Sequence, residues 1–163
     1  MNCEQQRLVF DLMFERVSKE KFIELVFVGS DIPEGYVCQE LEAALAIKDA
    51  DSVECLLIIG FIFGFLMGCP DILSRLLIED WHVCHEDIAS ALQSLKYPGA
   101  VDYLFKAALA DHPYIGSEYS LGVKCIHALH DVGTDSAKEK LRILAQAENP
   151  VMSELAGRLL ASM

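Results

Sequence analysis

The chain has 163 residues, 53% of them hydrophobic, with five prolines and no low-complexity tract. That suits a folded domain with a sizeable core and excludes disorder. The formal net charge of −12 excludes direct binding to DNA or RNA as a first reading, because phosphate neutralisation needs a basic surface.

The N-terminal stretch MNCEQQRLVFDLMFERVSKE is charged throughout and does not read as a secretory signal. Leu8, Val9, Leu12, Met13 and Val17 recur at helical spacing and predict a helix over 4–17. Ser18 can cap a second short helix through Phe27. GSDIPEG then breaks the chain, and Asp31 with Glu34 fits a capping box before a third helix to Ile47. Asp51 with Glu54 repeats that pattern ahead of the most apolar segment, CLLIIGFIFGFLMGC.

In that segment Gly60, Gly64 and Gly68 recur every fourth residue, as in packed transmembrane helices. Its length opposes a span: at ~1.5 Å per residue it reaches roughly 22 Å, short of a roughly 30 Å hydrocarbon core. Glu54 and Asp71 bracket it, and no basic flank sets an orientation. It reads as a buried central helix whose glycines let a neighbour approach, with a buried strand pair as the local alternative.

Pro70 opens a further helix through Ile78. WHVCHEDIASALQSL, residues 81–95, enters the next at His85, and KYPG ends it. Helices over 100–110, 120–129 and 135–148 follow, separated by DHPYIGSEY and DVGT. Asn149 and Pro150 supply the N-cap and first-turn proline of a last helix ending near Ala161.

Two of these helix pairs resemble one another. Leu95 and Leu129, like Gly99 and Gly133, stand 34 apart, and Ala100-x3-Leu104 matches Ala137-x3-Leu141. A period near 35 residues signals stacked helix pairs, since one pair cannot bury its own apolar face. The alternative is a generic bundle with similar hairpins. The expected fold is all-α: a HEAT/armadillo-like α-solenoid of about eight or nine helices in a single domain. Residues 1–69 form its divergent N-terminal part and 70–163 its HEAT-like pairs.

The elements WHxxHEDI, LxxxxPxAVxxL, KCIxAL and GTxxA, spread over 70–161, resemble the HEAT-repeat-like immunity proteins of bacterial polymorphic-toxin and contact-dependent growth inhibition systems. The resemblance implies a cytoplasmic inhibitor rather than an enzyme, with a cognate protein toxin as its partner. It implies a monomer forming a heterodimer with that toxin, and neither a membrane nor a nucleic acid as ligand. A nuclease toxin needs a basic cleft, which an acidic inhibitor complements; an EndoU-type ribonuclease is the candidate class. A HEAT-like adaptor with an unrelated partner, or a metal-dependent enzyme, are the alternatives.

The chemistry-bearing residues argue against the enzyme. His82/His85 and His127/His130 have the zinc-compatible HxxH spacing. His82 precedes its helix, and His127 and His130 fall on an ordinary helix surface, so no metal is expected. HEAT-like deoxyhypusine hydroxylase resembles this architecture but carries several His-Glu pairs, whereas this chain has His85-Glu86 alone. No HExxH, phosphate loop or GxSxG occurs, so no catalytic residue and no cofactor are expected. Cys84 reads as a packed thiol. The six cysteines, with no CxxC among them, read as reduced buried thiols without a disulfide.

Charge places the partner. Residues 31–118 hold fifteen acids and four bases, residues 1–30 five and four, and residues 119–163 five of each. A basic partner is steered to the middle of the chain, where the plain reading is only a solvated acidic surface. Two segments there precede successive first helices of adjacent repeats: Glu79 and Asp80, and the loop with Asp111, His112, Tyr114, Glu118 and Tyr119. A solenoid would put them on one edge, the expected partner-binding surface.

Overall fold

Side-chain capping sets half of the ten described helix starts. The computed structural model describes residues 1–28, 31–65, 68–112 and 120–163. Among them it holds ten α-helices, one 3-10 turn and no strand, so the protein is all-α, with more helices than the eight or nine expected. Helix α1 (Cys3–Met13) starts in a capping box: Asn2 Oδ1 accepts the Gln5 N–H at 2.9 Å, and Gln5 Oε1 accepts the Asn2 N–H at 3.1 Å. It stops four residues before the expected end, where Glu15 turns the backbone left-handed at φ 58°. Helix α2 (Lys19–Val26) is capped by Ser18 as expected.

Helix α3 (Tyr36–Ile47) departs from expectation. No side chain caps it; Gly35, left-handed at φ 74°, makes the start, and the Asp31–Glu34 capping box does not form it. Helix α4 (Ala50–Phe63) is capped by Asp49, two residues before the expected Asp51. The Asp49 carboxylate accepts the Ser52 hydroxyl at 2.6 Å and the Ser52 N–H at 3.0 Å. Those bonds hold the carboxyl below its ordinary range.

The apolar segment is not one helix. Helix α4 ends at Phe63, Gly64 takes φ 101° and Gly68 φ 103°, and α5 (Cys69–Leu76) begins anew. A Cβ at Gly60 would collide with the ring of Phe65, which folds back over α4. The glycines therefore end a helix and admit a ring of the same chain, not a neighbouring helix. Among the described residues no helix is long and apolar enough to cross a membrane.

The remaining elements are α6 (His85–Leu95), a 3-10 turn over Pro98–Ala100, α7 (Val101–Ala108), α8 (Ser120–Val132), α9 (Asp135–Leu144) and α10 (Pro150–Leu160). Thr134 caps α9, and Asn149 with Pro150 opens α10.

The chain divides into two compact units, Met1–Ile72 and Leu73–Met163. In the first, α1 packs on α2 and α4, and α3 on α4. Phe22 is the one fully buried residue of α2; its ring stacks on Phe63 at 5.9 Å and meets Phe27 edge-on at 6.3 Å. In the second, α8 is central and packs on α6, α7, α9 and α10. Ile88, Leu92, Leu104, Ile126 and Leu129 form its solvent-free core.

The expectation of six free thiols is corrected. Cys38, in the first turn of α3, and Cys69, the first residue of α5, form a disulfide with Cα atoms 4.9 Å apart. Both cysteines lie in apolar patterns, and sequence spacing gives no sign that the two helix starts adjoin. Cys55, Cys84 and Cys125 are free and buried, and Cys3 is free and exposed. Burial pushes the Cys55 thiol up to about 11 and raises that of Cys125 further.

Candidate functional site

The stretch between α5 and α6 is built around two imidazoles. His82 Nδ1 accepts the Cys84 N–H at 3.2 Å, so it carries no proton; Nε2 is the protonated nitrogen and donates to the Leu76 carbonyl at 2.9 Å. His85, the first residue of α6, donates from Nε2 to the Glu79 carbonyl at 2.6 Å. Each ring thus ties the entrance of α6 back to the exit of α5.

The rings continue outwards. His85 stacks on His82 with centroids 4.4 Å apart, and the His112 ring lies tilted against His85 at 4.1 Å. Trp81 stands edge-on to His82 at 5.0 Å, and its indole N–H donates to Glu79 Oε2 at 2.8 Å. His82 and His85 are buried, and burial is the main reason both resist protonation; His85 falls to about 4. Both rings are neutral at neutral pH, which allows His82 and His85 to stack without charge repulsion.

The His85–His112 contact joins two segments that lie far apart in sequence. Of the expected partner-binding residues, Glu79 and Asp80 stand at one end of this contact, and Asp111 and His112 at the other. Asp80 and Asp111 are exposed, and Glu79 and His112 half-buried. Tyr114, Glu118 and Tyr119 lie outside the described residues.

Two acids have roles the sequence reading did not assign. Glu86 accepts the Ser120 hydroxyl and pairs with Lys124 Nζ at 3.1 Å, bracing α6 on α8. The Ser120 bond is the chief cause holding its carboxyl below the ordinary range. The signal was present: Glu86 and Ser120 stand 34 residues apart, the offset of the repeat. Glu148 joins Asp111 in lining an open cleft of about 480 Å³ between the end of α7 and the turn before α10, with Ala108, Leu109 and Met152.

The second histidine pair is engaged elsewhere. His130 Nδ1 lies 3.2 Å from Asp131 Oδ1 and its Nε2 3.3 Å from Ser162 Oγ. Among the described residues no three His, Cys, Asp or Glu side chains are grouped to hold a metal. What the 79–86 and 111–112 segments offer is negative charge, ring edges and an apolar-floored cleft. Comparison with family models, curated proteins and solved structures finds no match.

Proposed function

We propose that this protein is an immunity protein that binds and neutralises a cognate toxin domain through a basic surface of the toxin. One observation carries the reading: the acidic 79–80 junction and the acidic 111–112 segment adjoin through the His85–His112 contact, forming one half-exposed edge. An acidic edge that also presents Trp81 and His112 suits a basic partner, since aromatic side chains among complementary charges make good anchors. A nuclease, with an EndoU-type ribonuclease as the candidate class, has the basic cleft such an edge complements. The inhibitor acts in the cytoplasm as a monomer that forms a heterodimer with the toxin.

The solenoid reading belongs to the same proposal and is restricted to the second unit. There α6 neighbours α8, α8 neighbours α10, and α7 neighbours α9. That is the neighbour order of stacked helix pairs.

Reversing Glu79, Asp80 and Asp111 to lysine is expected to slow association with the toxin by roughly ten- to a hundredfold at low salt and to weaken its salt dependence. Asp135 and Glu139, both exposed on α9, are the comparison; their reversal should change the rate less than about twofold. Glu148 does not belong in that comparison, because it shares the Asp111 cleft. The measurement is surface-immobilised kinetics with the neighbouring-gene toxin domain, beside growth protection on co-expression. If the α9 pair abolishes protection and the edge triple does not, with both variants folded, the edge is misplaced. A toxin that binds neither variant nor the parent chain favours the adaptor alternative.

A further inference from the structure

The Cys38–Cys69 disulfide is unevenly exposed. Cys69 is fully buried, whereas Cys38 is half-exposed. Cys38 also lines a partly open cavity of about 140 Å³ whose other walls include Ile32, Tyr36, Phe63 and Gly64. Among the described residues no charged side chain lines that cavity. Each sulfur also belongs to the first turn of a helix, α3 for Cys38 and α5 for Cys69. The positive end of a helix stabilises a thiolate, so each sulfur is a competent leaving group.

We propose that Cys38 is an S-thiolation site, at which a low-molecular-weight monothiol reaches the sulfur with its thiol arm through the opening of the 32–64 cavity and opens the disulfide through a mixed disulfide on Cys38. The incoming thiolate sulfur forms a bond to Cys38 Sγ as the Cys38–Cys69 bond breaks. Cys69 leaves as thiolate and takes up the proton the small thiol released. A second monothiol attacks the mixed disulfide, departs as the small-molecule disulfide, and returns Cys38 as a thiol. Two monothiols are oxidised and one protein disulfide is reduced. Opening the bond removes the covalent strap between the starts of α3 and α5.

The test uses the full chain carrying Cys3→Ser, because Cys3 is an exposed thiol that would react independently. The protein is oxidised with glutathione disulfide, then exposed to reduced glutathione under native conditions, quenched in acid and mapped by peptide mass spectrometry. The glutathione adduct is expected on Cys38 over Cys69 by roughly tenfold or more. Cys69→Ser treated with glutathione disulfide should hold the adduct on Cys38, trapped for want of a resolving thiol. Three results overturn the proposal: failure to form the Cys38–Cys69 bond on oxidation, an adduct chiefly on Cys69, or opening of the bond only at the rate of global unfolding. If Cys69→Ser does not fold, the site and rate measured in the Cys3→Ser chain decide alone.

Discussion

Phe22→Ala is expected to lower the stability of the first unit by about 3–5 kcal/mol, the range for removing a fully buried aromatic side chain. Helix α2 has eight residues, too few to be stable alone in water. Its attachment rests on Phe22, which sits between Phe63 and Phe27, while Phe27 in turn meets Tyr36 edge-on at 5.0 Å. Removing the ring breaks this row at its centre and leaves a cavity that cannot collapse without moving α2. Leu25, on the exposed side of the same helix, is the control; Leu25→Ala should cost under about 0.5 kcal/mol. Urea unfolding followed by circular dichroism reads both. A Phe22→Ala loss below that of Leu25→Ala would show that α2 is held by something other than this ring.

Acid is the second large effect. A histidine whose folded value lies below its ordinary 6.5 binds its proton more readily in the unfolded chain. Its stabilising contribution is therefore fully present above pH 6.5 and is lost as the pH falls towards the folded value. For His85, at about 4, the loss across that window reaches about 3 kcal/mol. His82 is shifted the same way and adds to it. The structural reason is specific: protonating His82 puts a second N–H against the Cys84 N–H, and protonating His85 sets a charge against two imidazoles. Glu86 and Asp131, whose carboxyls are lowered, give up their contribution at still lower pH, so the losses separate. Urea midpoints at pH 7, 5.5 and 4.5 should fall steeply. In His85→Gln the midpoint should start lower at pH 7 and fall more gently. A flat midpoint between pH 7 and 5 in the parent chain would refute the neutral stack.

The starts of α2, α9 and α10 were legible because Ser18, Thr134 and Asn149 each accept an N–H three residues on, which is local information. Asp49 caps α4 in the same way, although the capping-box pattern points to Asp51, and α6 begins at His85 as expected with no side-chain cap. The end of α4 was not legible. Apolar residues run through Gly64 on both sides, and helical periodicity carries no mark of a glycine about to turn left-handed. Nor was the disulfide, since nothing short-range says that residues 38 and 69 meet. The meeting of 79–80 with 111–112 was half legible. The repeat offset brought 79–80 and 111–112 to the same side in principle. The imidazole stack that joins them depends on how WHVC turns, which side-chain rules do not give.

The protein also contains its own optical probe. Trp81 is its single tryptophan, half-buried, hydrogen-bonded to Glu79 and edge-on to His82. All indole emission therefore originates within the junction where the toxin is proposed to dock. An imidazolium quenches a neighbouring indole far more than a neutral imidazole does, so protonation of His82 should dim the emission as the stack charges. A partner covering the junction removes water from the same ring and shifts its colour towards the blue. Label-free fluorescence thus reports two events from one residue, intensity for acid and wavelength for occupancy.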